Sequence, residues 1–367
     1  MGYVYLNVSD AVLEQQKTLC QYRLDADRTI VVHMHIPKSG GTAFALALKS
    51  ECICNKIPRP QKGYCRECPN VIPDASLPVT IFTQNLWTSQ NYSFRPPYSA
   101  NCRTFNASSR WFGFPKKNRT FTFYSQSRLT SGWPCGVHVS YARLRECCHR
   151  LELPGIKHVI VTLFRDPLAR FVSEFFQVAY NRIDITSWDW CMRPEFPLSM
   201  TQFFGMPVSY PFQSRMTKLL SGSPVQTGAA GEDWTKPGVR DEALRRALGV
   251  VHSTEDFLFG LAEELDLTLE LFQFVFRRTF KAPSTCHSHQ NASGCGKVEL
   301  GLHDLHGNPM SLNTEQERLF AENNREDRIT YDTAARIFYE RIEAMRSLQV
   351  LGSDLAINRR CASITSL

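Results

Sequence analysis

The sequence predicts an α/β fold, a central parallel sheet flanked by helices. Three observations carry this prediction. Two apolar, β-branched runs read as strands buried on both faces, each is followed by a helical pattern, and polar turn residues separate strand from helix in both cases. The first run is Thr29 to Ile36. It leads through Pro37-Lys38-Ser39-Gly40-Gly41 into an Ala/Leu-rich helix from Thr42 to Ser50. The second run is His158 to Phe164, followed by Arg165-Asp166-Pro167 and a helix from Leu168 to Tyr180. Pro167 suits the first turn of that helix, where its missing N–H costs nothing. Phe171, Phe175 and Val178 would face the core.

The other elements follow in chain order. Residues 1 to 28 read as a helical or irregular lead-in. Residues 52 to 120 turn to Pro, Asn, Ser, aromatics and cysteines with little periodicity, which predicts a loop-rich, disulfide-stapled insertion and not a separate domain. Residues 181 to 240 look irregular again. Leu244 to Val250 and Leu261 to Phe280 are helical by periodicity, the latter with Leu265, Leu269, Phe272 and Phe276 on one face. Asn313 to Met345 gives a helical pair, with Thr314 and Glu317 as its capping box. The domain would therefore span 29–350, ending in a C-terminal tail at 351–367.

Composition narrows the class. A hydrophobic share of 43% over 367 residues supports a real core and excludes general disorder. The net charge of +7 favours an acidic partner: a polyanionic glycan, a nucleic acid or an anionic lipid surface. No apolar run of about 18 residues predicts a membrane span. Thirteen cysteines are many for a cytosolic chain, so Cys52, Cys54, Cys65 and Cys68 pose a choice between a zinc knuckle and a disulfide framework. Sequons at Asn7, Asn91, Asn106, Asn118 and Asn291 favour an oxidising secretory compartment, and hence disulfides. Cys286 and Cys295 flank His287, His289 and the Asn291 sequon, which reads the same way. Met1 to Lys17 lacks a signal-peptide pattern, so the secretory reading expects a trimmed or incomplete N-terminus.

Two anion signals carry the chemistry. In the first, Gly40 and Gly41 let the backbone approach an anion, the helix start supplies free N–H groups, and Lys38 adds a positive charge. The lysine precedes the glycines, the reverse of the triphosphate-binding loop G-x-x-x-x-G-K-[ST]. In the second, Arg165 stands at the carboxyl end of a strand and Ser173 lies eight residues further on, so both could reach one phosphate group.

At these residues the chain resembles a known family. His35-Ile36-Pro37-Lys38-Ser39-Gly40-Gly41-Thr42 looks like the 5′-phosphosulfate loop of the Golgi carbohydrate sulfotransferases, and Arg165 to Ser173 is similar to their 3′-phosphate motif. The block from Phe123 to His138, which ends in Ser131-Gly132-Trp133-Pro134-Cys135-Gly136-Val137-His138, closely resembles the segment of the heparan sulfate 6-O-sulfotransferases that contains the catalytic histidine. Gln213-Ser214-Arg215-Met216 and Phe259-Gly260-Leu261-x-Glu263 are further echoes, and together the motifs run in order from about residue 30 to 280. Pro37 and Ser39 stand where the 6-O enzymes usually have Gln and Thr, and Phe175 where they have Trp.

The resemblance implies a P-loop, nucleotide-kinase-like sulfotransferase fold. It implies 3′-phosphoadenosine 5′-phosphosulfate (PAPS) as cofactor, no metal, and sulfuryl transfer to a glycan hydroxyl, the 6-hydroxyl of a heparan-type glucosamine first. Lys38, Ser39, Gly40, Gly41, Thr42, Arg165 and Ser173 would then bind the donor, with Lys38 stabilising charge on the leaving oxygen and His138 as general base. His35, Arg128, Trp133 and Arg215 would face the acceptor, although Trp133 could equally be core, and His33 would pack. The partner would be an acidic, heparan sulfate-like glycan and not a nucleic acid. The location would be the Golgi lumen, with a type II membrane anchor outside this sequence. Other readings are a sulfotransferase for another glycan or a glycolipid, an inert glycan-binding protein retaining the fold, and a P-loop kinase. The kinase is disfavoured by the loop order.

Overall fold

The computed structural model describes residues 9–41, 44, 47, 79–83, 140–149, 157–181, 199–205, 213–222, 234, 236, 238–278, 280, 302 and 309–366. A four-stranded parallel sheet forms its centre, made of β1 (Thr29–His33), β2 (Val79–Thr83), β3 (Lys157–Phe164) and β4 (Phe257–Leu261) in the order β2-β1-β3-β4. Val31 pairs with Ile81 on one side and Val159 on the other, while Leu163 pairs with Gly260. Six successive residues of β3, Val159 to Phe164, are buried, as expected of an inner strand in a parallel sheet covered on both faces.

The chain leaves β1 for β2 on one side, then returns to β3 on the other side of β1. That reversal makes the β1/β3 crevice a topological switch point, and in open α/β sheets the carboxyl ends of the strands at such a point hold the ligand.

Helices cover this sheet: α1 (Asp10–Leu24), α2 (Tyr141–His149), α3 (Pro167–Asn181), α4 (Met200–Gly205), α5 (Arg215–Ser221), α6 (Val239–Val251), α7 (Leu265–Phe276), α8 (Thr314–Asn323), α9 (Arg325–Gln349) and α10 (Asp354–Thr365). Gly41, Phe44 and Ala47 are also helical, as expected for the segment after the Gly-Gly turn. Helix α1 is a lead-in only in sequence. Val12, Leu19, Cys20 and Tyr22 are buried in the main core, and Arg23 reaches Asp354, Asn358 and the Phe274 carbonyl. The segment 351–367 is likewise more than a tail. Its helix α10 packs on α1, and a disulfide joins Cys20 to Cys361.

Several expected boundaries move. The helix expected over Leu261 to Phe280 is a strand–helix unit: Leu261 ends β4, and the helix starts at Leu265. The stretch 52–120, read as loop-rich, supplies β2. The stretch 181–240, read as irregular, contains α4 and α5. The capping box is Asn313 with Gln316, not Thr314 with Glu317; Asn313 Oδ1 accepts the Gln316 N–H while Gln316 Oε1 accepts the Asn313 N–H. Phe171 and Phe175 on α3 are buried as expected, but in a second cluster with Phe203, Phe204 and Phe320, apart from the main core. Each buried phenyl contributes about 1.5–3 kcal/mol.

Candidate functional site

The site begins where β1 runs out. Met34 still donates to the Val161 carbonyl at 2.8 Å, and Thr162 Oγ1 donates to the Met34 carbonyl at 2.8 Å, so the backbone holds register past the strand end. His33 is buried edge-on against Phe44, which fits a packing role. His35 is also buried, 6.1 Å from His33 between ring centroids.

The chain then turns at residues 37–40 with two left-handed positions, Lys38 at φ 65° and Gly40 at φ 72°. A non-glycine residue at positive φ is strained, and such strain clusters at functional sites. Ser39 sits between them, 1% exposed, and its Oγ has no hydrogen-bond partner among the described residues. A buried hydroxyl left in this state costs about 1–3 kcal/mol unless something fills it. Phe44 N–H donates to the Gly40 carbonyl at 3.2 Å, closing the first helical turn behind the loop.

The second anion motif meets the first directly. Arg165, just past the end of β3, donates from Nη1 to the Lys38 carbonyl at 3.1 Å. Burial lowers the proton affinity of its guanidinium, while Glu263 and Asp166 pull in the opposite direction. Its Nε has no partner among the described residues. Asp166 caps α3: Oδ1 accepts from the Leu168 and Ala169 N–H groups at 3.0 and 2.9 Å. Ser173 lies half-buried further along α3.

A ring of polar contacts surrounds this corner. Asp166 N–H donates to Glu263 Oε1 at 2.8 Å, Tyr331 Oη donates to Glu263 Oε2 at 3.4 Å, and Arg328 Nη1 lies 2.9 Å from Asp166 Oδ2. Burial raises the Glu263 carboxyl above the usual carboxylate range, against the hydrogen bond from Asp166. These contacts join the ends of β3 and β4 to α9. In the sequence Glu263 stands out only as part of a motif and Asp166 only as the residue before Pro167, and nothing marks Arg328 or Tyr331. Asp before Pro at a helix start was a legible capping signal; the other contacts had none.

Other expected site residues fall elsewhere. Arg215, expected at the acceptor, is fully buried on α5, where its guanidinium bonds the Glu174 carboxylate, which also receives Arg170. Asp327 lies beside Arg170 and accepts the Met216 and Thr217 N–H groups. Arg215 therefore braces α5 against α3, one residue from Ser173. His138, Arg128, Trp133 and Thr42 lie outside the described residues, as do Cys52, Cys54, Cys65, Cys68, Cys286 and Cys295. Among the described residues no group of three or more His, Cys, Asp or Glu is arranged to hold a metal ion, and no helix is long and apolar enough to cross a membrane.

No protein-family model matches the chain. Individual proteins do. Heparan-sulfate 6-O-sulfotransferase 2 of Danio rerio is 24% identical over 261 residues, covering 63% of this chain and 50% of its own length. Heparan-sulfate 6-O-sulfotransferase 1 of Homo sapiens is 24% identical over 263 residues, covering 64% of this chain and 58% of its own. A shorter segment of 85 residues is 32% identical to heparan-sulfate 6-O-sulfotransferase 1 of Cricetulus griseus, covering 21% of this chain and 20% of the relative. The chain thus spans about half the length of the curated relatives it matches.

Proposed function

From its distant relationship to the heparan-sulfate 6-O-sulfotransferases, we propose that this chain is a PAPS-dependent sulfotransferase acting on a hydroxyl of a heparan sulfate-type glycan, with the glucosamine 6-hydroxyl as the first candidate. The observation that carries this reading is the hydrogen bond from Arg165 to the Lys38 carbonyl, which joins two separate anion motifs into one site at the sheet's switch point.

The residues present fit a bisphosphate-bearing donor. Ser39 brings a buried hydroxyl in need of a partner, Arg165 a half-buried guanidinium, and the Lys38–Gly41 turn a backbone that admits an anion. When bound, the donor supplies an activated sulfuryl group on a phosphate leaving group. Lys38 stabilises negative charge that builds on the leaving oxygen, and Arg165 with Ser173 fixes the distal phosphate. His138 takes the acceptor hydroxyl proton; an imidazole with a pKa near 6.5 suits that task around neutral pH. The Cys20–Cys361 disulfide supports an oxidising, secretory compartment, because cytosolic thiols are kept reduced, and the relationship to the 6-O-sulfotransferases makes the Golgi lumen the first candidate within it.

The test is incubation with labelled PAPS and a panel of glycans, followed by disaccharide analysis. Label on the 6-position of heparan-type glucosamine is the expected result. Label on another glycan or glycolipid moves the acceptor but keeps the chemistry. No label on any acceptor, with adenosine 3′,5′-bisphosphate still bound, removes the enzymatic reading and favours a glycan-binding protein. His138→Ala should lower turnover by about 10²–10⁴-fold with donor affinity retained.

A further inference from the structure

We infer that Glu263 is a positioning residue for the donor site, fixing the Arg165–Asp166 corner so that Arg165 reaches the Lys38 loop; this rests on the sulfotransferase reading above. The ladder between β3 and β4 continues to the Ala262 N–H, which donates to the Phe164 carbonyl at 2.8 Å, so Glu263 emerges directly beside the exit of β3. Its Oε1 accepts the Asp166 N–H at 2.8 Å. With its N–H held by Glu263, Asp166 uses Oδ1 to cap α3 and Oδ2 to meet Arg328. Arg165 is the preceding residue, so its backbone is set by a neighbour tied at three points.

Glu263 is itself held from α9. Tyr331 Oη donates to Oε2, and Arg328 meets Asp166 from one turn earlier on the same helix. One face of α9 therefore closes over both carboxylates. A carboxylate repels phosphate, so Glu263 is unsuited to touch the donor, and its effect runs through Arg165. Its charge also favours the protonated guanidinium that burial opposes.

The experiment titrates adenosine 3′,5′-bisphosphate into the full chain by calorimetry and measures PAPS kinetics with an accepted glycan. Glu263→Ala is expected to bind the bisphosphate about tenfold more weakly, the scale of one lost hydrogen bond at a charged corner. KM for PAPS should rise in step, with kcat at saturating donor unchanged. Glu263→Gln keeps an acceptor oxygen opposite the Asp166 N–H and should recover affinity to within about threefold of the unmodified chain. Tyr331→Phe removes only the donor to Oε2 and should weaken binding about threefold. Unchanged affinity in Glu263→Ala, or in Tyr331→Phe should the alanine variant not fold, overturns the inference, as does a glutamine variant as weak as alanine. A fall in kcat without a rise in KM also overturns it. Absence of bisphosphate binding by the unmodified chain overturns the sulfotransferase reading itself, which separates the two failures.

Discussion

Arg165 Nη1 and the Lys38 carbonyl oxygen lie 3.1 Å apart, linking residues 127 positions apart in sequence across the β1/β3 crevice. The arginine that would grip one end of the donor also holds the loop that would grip the other. Losing it should therefore loosen both. Arg165→Lys keeps the charge but not the planar fork that serves a carbonyl and an anion together. We expect about tenfold weaker bisphosphate binding in Arg165→Lys and about a hundredfold in Arg165→Ala, measured by calorimetry. Wild-type affinity in the lysine variant would mean that the carbonyl contact contributes nothing.

Two glycines should respond differently to alanine. At Gly40 an added Cβ would meet Ala262 and Leu163 at ordinary contact distances of 3.6 and 3.7 Å, so the cost is the positive φ alone, about 1–2 kcal/mol. At Gly260 the Cβ would fall inside Thr268, whose Oγ1 donates to the Leu261 carbonyl and accepts the Leu261 N–H. Gly260→Ala should lose about 3 kcal/mol or more in urea unfolding. Similar losses at the two positions would contradict this ordering.

Lys218 should give the fold a pH dependence of definite sign. Burial pushes its ammonium down from 10.5 to about 7, opposed chiefly by Asp327, and its Nζ lies 4.4 Å from the centre of the Trp234 ring. Between about pH 7 and 10 the unfolded chain holds a proton that the folded chain has released, so stability rises with pH. Below about pH 7 both states hold it and the penalty is complete. From pH 7 to 9 the gain should be on the order of 2 kcal/mol in urea unfolding. Lys218→Met should flatten that slope; an equal slope in the variant would assign it to other groups.

The covalent link from α1 to α10 should show in stability. Replacing Cys20 and Cys361 together by serine should cost about 2–5 kcal/mol, chiefly because the unfolded chain regains the freedom of a very long loop. Dithiothreitol should lower the melting temperature of the natural chain towards that of the double variant. An identical melting temperature with and without reductant would argue against the bond.

What could be read from sequence was what is local. The apolar runs of β1 and β3, the Asp-Pro start of α3 and the faces of α7 all follow from periodicity and turn chemistry. Strand β4 was hidden because Phe257-Leu258-Phe259-Gly260-Leu261 adjoins an equally apolar helix, and a short apolar run does not reveal its own period. Strand β2 lay within a stretch whose composition signalled loops. In the site, Lys38 and Arg165 were visible because each sits at a strand-to-helix turn. Arg215 shows the limit. Its place in the Gln213-Ser214-Arg215-Met216 echo implied an acceptor contact, but its counter-charge is Glu174, 41 positions earlier, and only the packing of α5 on α3 shows that the pair is interior. Glu263 and Tyr331 are likewise joined only by tertiary structure.

The bond between Cys20 and Cys361 turns almost the whole described chain into a closed covalent ring. Tension applied outside that ring passes through the sulfur bridge and bypasses the sheet. Held in an optical trap, the oxidised protein should lengthen only by its segments beyond residues 20 and 361. Reduction would expose the crevice between Lys38 and Arg165 to the load, making mechanical extensibility a direct reading of the redox state of a bond far from the chemistry.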